Sequence, residues 1–250
     1  MKKQLFWIFA VAIVATATII GACAQNEDSQ TPVPYFTQEE MPEALNWLPQ
    51  PPAEGSEAYK LDLERYNWGK EMRLDSVRAA IAVRDADYGV ECMMREFSEP
   101  LGITMSEKTT PELFMLLRDA GRTCDMICWN IKNHYMRPRP FMVMNEPTIT
   151  PDDEVYLRKN GSYPSGHTIL GWSTALILSS INPERADTIL ARGLMYGESR
   201  VIVGAHWQSD VNAGYVAAAA AYAKLQTSPR FMEQLAKARK EFEAIYKQQK

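Results

Sequence analysis

The chain has 250 residues, of which 46% are hydrophobic, enough to bury one substantial core with at most a small appendage. Its formal charge of −4 excludes the broad basic footprint that binding a nucleic-acid polymer requires. No internal repeat and no low-complexity tract is present.

The N-terminus reads as an export signal. Lys2 and Lys3 precede an apolar run from Leu5 to about Gly21, followed by Ala22-Cys23-Ala24. Two processing routes fit residues 1–24. Ala22 and Ala24 form a small-residue cleavage pattern ending before Gln25. Alternatively, Ile20-Gly21-Ala22-Cys23 resembles a bacterial lipoprotein signal, with Cys23 as the lipid anchor. An uncleaved membrane anchor is the weaker reading, because the run barely spans a bilayer. Either route places the mature protein in the periplasm or anchored to the outer envelope. Residues 25–56 are polar and carry Pro32, Pro34, Pro49, Pro51, Pro52 and Gly55, the composition of a linker or an extended arm.

From Tyr59 onward the periodicity is helical. Helices are predicted over 59–84, 86–97, 166–181, 184–202, 207–225 and 229–247. Thr110, Pro111 and Glu112 make a further start: a capping hydroxyl, proline in the first turn, an acid near the positive end. The stripe that follows (Leu113, Leu116, Leu117, Ala120, Cys124, Ile127, Cys128, Ile131) keeps helical spacing. Strand-like alternation is nearly absent. The expected fold is all-α, a single multi-helix domain over 57–250.

Cysteine usage is thin. Beyond Cys23 there are Cys92, Cys124 and Cys128, the last two on the apolar stripe, where thiols behave as small hydrophobes. With no C-x-x-C spacing and no His/Cys cluster, a structural zinc site is not expected. The 13 methionines read as core filler.

Chemistry-bearing residues fall in three stretches. Lys132 continues the apolar stripe, so an anion must meet its charge unless it snorkels outward. Arg139 sits between Pro138 and Pro140, which hold it in an extended segment. Next, Gly161 to His167 leads into an apolar helix. Ser165 is its natural cap, Gly166 allows close approach to a backbone amide, and His167 would face an anion held at the helix start. The third stretch, Ser199 to Asp210, holds Arg200, His206 and Asp210. If it is helical, His206 and Asp210 stand at i and i+4 on one inward face. Such a pair is either a structural hydrogen bond or a base held in one tautomer. His134, two residues from Lys132, faces away and reads as structural. Clustered cations require a multiply charged anion, and phosphate fits best, gripped by the forks of Arg139 and Arg200 with Lys132 as a point charge. Those cations supply the stabilisation a metal would give, so neither metal nor cofactor is expected.

Lys132-x6-Arg139-Pro140, Pro164-Ser165-Gly166-His167 and Ser199-Arg200-x5-His206-x3-Asp210 resemble the three-part signature of the phosphatidic acid phosphatase type 2 superfamily. Within it, the stretches Gly161–Thr168, Ser180–Arg185 and Gly204–Val211 resemble the bacterial class A non-specific acid phosphatases, over about Leu48 to Glu243. The resemblance implies an all-helical phosphomonoesterase, acting on small phosphate monoesters through a phosphohistidine. His206 would be the nucleophile, Asp210 its orienting partner and His167 the general acid. Lys132, Arg139, Arg200, Ser165 and the Gly166 amide would bind the phosphoryl oxygens. Members usually carry a cysteine just before the catalytic histidine, paired with one in the loop ahead of Pro164. Here Val203 holds that place and 141–160 has no cysteine, so the disulfide is expected to be missing. Phosphotransfer to an alcohol and a homodimer are further expectations. The alternatives are a vanadate-dependent haloperoxidase, disfavoured by the compact chain, and a phosphate-binding protein without turnover, disfavoured by the paired histidines. A membrane-embedded lipid phosphatase is disfavoured because the motif helices are too polar to span. Tyr163, Trp207 and the 86–108 region are candidates to line the approach.

Overall fold

Capping residues decide where the helical periodicity is cut. The computed structural model describes residues 31–249, so Cys23 and the whole signal stretch 1–24 lie outside the described residues. Everything below belongs to the unit that begins at Pro32. Helix α1 (Glu57–Met72) starts where the Ser56 hydroxyl accepts from Tyr59 N, and α2 (Ser76–Arg84) where the Asp75 carboxylate accepts from Val77 N and Arg78 N. The single helix expected over 59–84 is therefore two, because Asp75 bonds the backbone locally and opens a new N-terminus. The next helix, α3 (Val90–Leu101), begins four residues later than expected, because residues 85–89 form a turn that ends at Gly89, φ +124°.

The long helix expected after Thr110 is also divided. Helix α4 (Pro111–Asp125) passes through a 3₁₀ turn (Met126–Cys128) into α5 (Trp129–Tyr135), which Met136 ends in the left-handed region. Thr110 does not cap α4 with its hydroxyl, which instead donates to Ser106 O. The free amides of Glu112 and Leu113 are taken by the Glu241 carboxylate, a cap supplied from the far end of the chain. Two short helices follow, α6 (Pro140–Val143) and α7 (Glu154–Leu157). The remaining four are α8 (Gly166–Ile181), α9 (Ala186–Val203), α10 (Gln208–Leu225) and α11 (Pro229–Gln249).

The architecture is all-helical, with no strand among the described residues. Helix α8, apolar on nearly every side, packs between α9 and α10, while α11 covers α4. The α8–α9 approach is close: a Cβ on Gly171 would lie 2.3 Å from Tyr196 Cδ1. A second apolar cluster (Ala82, Phe141, Leu157, Ile202, Val203, Ala205) sits under the α9–α10 turn. Val203 is buried there, and Ile149 N donates to its carbonyl at 3.2 Å. Apolar packing and one backbone bond thus tie the 141–160 loop to the turn. Cys92, Cys124 and Cys128 are all free and buried. No helix among the described residues is long and apolar enough to cross a membrane.

Residues 32–50 are not a tether. Tyr35, Met41, Ala44 and Leu48 are buried in the main core, and Tyr35 N donates to Thr123 Oγ1 at 2.9 Å. The Tyr35 ring meets Phe231 edge-on at 5.3 Å, with Arg230 over its face. Proline-rich composition signals extended backbone, and that backbone docks because its few apolar residues have pockets to fill. Leu48→Ala should cost about 3 kcal/mol in urea unfolding, while Trp47→Ala, at a 39%-exposed neighbour, should cost less than about 1 kcal/mol.

Candidate active site

The site is assembled at the turn between α9 and α10. Gly204 ends α9 at φ +89°, a conformation open to glycine, and the chain reverses through Ala205 and His206 into α10. His206 is therefore not helical, contrary to the expectation that it shares a helix face with Asp210. Asp210 sits in the first turn of α10, where its Oδ2 accepts from Trp207 N at 2.9 Å and so caps its own helix. The same oxygen accepts from Ser162 Oγ and lies 3.4 Å from His206 Nδ1. His206 Nε2 lies 2.9 Å from Arg139 Nη1. A guanidinium can only donate, so Nε2 must be the bare nitrogen and Nδ1 must carry the hydrogen, towards Asp210 and Ser162. The lone pair of Nε2 is thereby directed away from the carboxylate.

Asp210 is neutralised by a residue absent from the sequence reading. Arg137 Nη1 donates to Asp210 Oδ1 at 2.5 Å and to Ser209 Oγ at 2.7 Å, and its Nη2 donates to Asp62 Oδ2 at 2.8 Å. Asp62, on α1, also accepts from Ser209 N and Oγ. All three ionised groups are nearly inaccessible to water. Burying them is tolerable because each charge is met by opposite charge and by further hydrogen bonds.

The cations divide by role. Arg139, extended between its prolines, donates Nε to Leu157 O, Nη1 to Ala205 O, and Nη2 to Asn160 Oδ1 and Gly161 O. It rivets the 157–161 loop to the catalytic turn rather than offering a free fork. Arg200 is the opposite case: 0% exposed, it lines the cavity, and none of its three nitrogens has a protein acceptor. Lys132 Nζ donates to Gly161 O at 2.9 Å and keeps further donors. Burial pushes its pKa down to about 8 and that of Arg139 down to about 10, and burial also lowers that of Arg200.

His167 opens α8, its Nε2 2.9 Å from Ala86 O. Burial pushes both histidines well below the usual imidazole range, with Arg200 adding to the effect on His167 and Arg139 and Lys132 to that on His206. Both shifts favour the neutral ring.

Lys132, Arg139, Gly166, His167, Arg200 and His206 all line one cavity of about 660 Å³. Ser165 does not: it is buried, and its hydroxyl caps α8 by accepting from Thr168 N, so its service to the site is holding the helix start in place. Asp210 stands behind His206, outside the lining. His134 is exposed, edge-on to Tyr135. Two candidate approach residues are displaced. Tyr163 is buried and donates to Pro49 O, and Trp207 is buried with its indole on Pro138 O. From the 86–108 region only Ala86, Asp87 and Tyr88 reach the cavity. The sequence reading missed Asp125, Cys128, Trp129 and Asn133, which also line it. Their spacing before and after Lys132 is helical, a signal masked by reading the stripe as apolar core. Asp153 and Tyr156 come from the short helical turns of residues 151–157 and Asn160 from the bend that follows, pieces too short to show a periodic signal.

Three buried or half-buried cations that line one cavity with an imidazole nitrogen bare of hydrogen suit an oxyanion. The PAP2 superfamily model matches residues 119–231, the stretch that supplies Lys132 through Asp210. Over nearly the whole chain, a non-specific acid phosphatase of Providencia stuartii is 40% identical, covering 99% of this chain and all of that protein. A non-specific acid phosphatase of Salmonella typhimurium is 41% identical over 96% of this chain and 93% of its own length. An acid phosphatase of Zymomonas mobilis is 36% identical over 92% and 86%. The chain belongs to the PAP2 superfamily, and within it to the non-specific acid phosphatases.

Because Lys132 loses its proton near pH 8, well below an ordinary lysine, oxyanion affinity should weaken as pH rises through that value. Calorimetric titration with inorganic phosphate from pH 6 to 10 should show this decline. Lys132→Gln should bind more weakly below about pH 8 and lose the part of the decline centred there.

Proposed function

We propose that this acid phosphatase is exported, and hydrolyses small phosphate monoesters through a phosphohistidine formed on His206. The observation that carries the reading is Arg200: a wholly buried guanidinium with every nitrogen unpartnered, in the same cavity as the bare Nε2 of His206. A buried unpaired cation is costly, and a dianionic phosphoryl group removes the cost. Arg200 and Lys132 bind the phosphoryl oxygens, with the Gly166 amide at the start of α8 as a further donor. Neutralising that charge and aligning Nε2 with phosphorus are what phosphoryl transfer chiefly needs.

In the first half-reaction, Nε2 of His206 forms a bond to phosphorus as the ester P–O bond breaks. The departing oxygen takes a proton from His167. Asp210, through Nδ1–H, stabilises the positive charge that the phosphorylated ring acquires. In the second, His167 accepts a proton from water, the hydroxide oxygen displaces Nε2, and inorganic phosphate leaves. An alcohol in place of that water gives phosphotransfer. A neutral phosphate-binding role has no use for a nucleophile held in one tautomer. Export rests on residues 1–24, with Cys23 as the lipid attachment if the lipoprotein route is taken.

With His206 depressed by burial and by its cationic neighbours, its lone pair survives into acid. A phosphate monoester keeps one proton below about pH 6 and can deliver it to the His167 side of the site. Activity should therefore peak below pH 7. It should fall at lower pH as His206 is protonated, and at higher pH as the proton for the leaving group is lost. A flat kcat/KM between pH 4 and 9 would overturn the assignment.

Rapid quench with ³²P-labelled p-nitrophenyl phosphate tests the intermediate. The native enzyme should give acid-labile, alkali-stable label; His206→Ala should give none. His167→Ala should still be labelled by this good leaving group, yet lose about 10²-fold or more on alkyl esters. Label in His206→Ala with none in His167→Ala would mean that the two roles are reversed, and equal labelling in both would overturn a phosphohistidine on His206.

A further inference from the structure

A cluster of buried charge outside the reacting groups is built on Asp85, at the end of α2. Asp85 is 0% exposed and takes Arg192 Nη2 at 2.5 Å, Arg192 Nη1 at 3.3 Å and Ser199 Oγ at 2.6 Å. Arg192 Nη2 also donates to Glu96 Oε2 at 2.9 Å, and Glu96 is shared with Arg84 and Arg95. The cluster joins α2, α3 and α9. Apolar side chains could hold three helices together without burying ions, so a positional task better accounts for this set.

The task is visible one residue along the chain. Ala86 turns its carbonyl onto His167 Nε2 at 2.9 Å. A carbonyl can only accept, so Nε2 carries the hydrogen of the neutral ring and Nδ1 is the nitrogen left to gain and give a proton. The same turn braces the ring on two further sides. Tyr88 meets it edge-on at 4.8 Å, and Tyr196, stacked at 6.4 Å, donates its hydroxyl to Asp87 O at 2.9 Å. Every contact that orients His167 from this side comes from or through residues 86–88, immediately after Asp85.

We propose that the Asp85–Arg192–Glu96 cluster is the positioning device of the leaving-group acid: it holds the 85–88 turn so that Ala86 O takes Nε2–H and His167 delivers its proton from Nδ1. In that delivery the Nδ1–H bond breaks, an O–H bond forms on the departing alcohol as its P–O bond breaks, and the ring returns to the neutral Nε2–H form. The carbonyl also favours the protonated ring that must precede it. The inference rests on His167 being the acid, and Asp85, Arg192 and Glu96 touch no substrate.

The test compares kcat/KM for p-nitrophenyl phosphate, whose leaving group needs no proton, with glycerol 1-phosphate, whose alkoxide does. Asp85→Asn and the milder Arg192→Lys, which keeps charge but loses the bidentate fork, are measured beside His167→Ala. Both cluster variants should lose more on the alkyl ester, by about 10-fold or more for Asp85→Asn, with inhibition by inorganic phosphate changed less than about 3-fold. Equal losses on both esters, with His167→Ala still selective, would overturn the positioning role and leave the acid assignment standing. Equal losses in His167→Ala itself would overturn the acid assignment. The ring form is read independently of activity: ¹⁵N–¹H correlation spectra of the native protein should show neutral His167 as the Nε2–H tautomer. An Nδ1–H tautomer there would sink the proposal whether or not any variant folds.

Discussion

Two histidines in this cavity are held in opposite tautomers by partners that cannot change role. Arg139 can only donate, which strips His206 Nε2 of its hydrogen; Ala86 O can only accept, which places one on His167 Nε2. Much of the surrounding structure serves to bring those two partners into place. Arg139 is fastened through Leu157, Asn160, Gly161 and Ala205, and Ala86 follows an aspartate locked to α9. In the proposed reaction, one imidazole gives an electron pair and the other trades a proton.

The cationic floor imposes a second constraint. Burial lowers the affinity of Lys132, Arg139 and Arg200 for protons, and Arg139 adds to the effect on Lys132 as Arg200 does to that on Arg139. Such an arrangement stores unfavourable energy that a bound oxyanion releases, which links substrate binding to catalysis through one electrostatic term. It also keeps His206 unprotonated at acidic pH, where an ordinary imidazole would be charged. The buried carboxylates avoid collapsing onto these cations because Arg137 already holds Asp62 and Asp210. Without that bridge, Asp210 would be the natural partner for the cations meant for phosphate.

How far the sequence was readable depends on how local each signal is. Gly166–Ile181 and Gln208–Leu225 follow from periodicity because one cap and one apolar run define each. The breaks at Asp75 and at Met126–Cys128 were missed, since a capping carboxylate inside an amphipathic pattern looks like one more polar position. The glutamate that caps α4 lies 128 residues downstream of Leu113, beyond the reach of any local rule. Lys132, Arg139, His167, Arg200 and His206 were legible because they fall in three short motif stretches whose spacing is local in the chain. Arg137 was not, for it sits two residues from Arg139 in a proline-bounded segment where either could be the surface residue. Which of them faces the carboxylates and which the cavity loop is decided by the extended backbone at 138–139, not by residue type.

The sequence by itself determined the helical class, the three motif stretches and the kind of anion they suit, because these depend on side-chain chemistry and short-range spacing. Only the tertiary structure decided that Arg200 is the unpartnered donor while Arg139 is a rivet, that Ser165 serves as a cap, and that residues 32–50 belong to the core. Those outcomes turn on which acceptors reach which donors across the fold. Hydrogen-bond satisfaction is settled by distances between segments far apart in the chain, and no local pattern encodes them.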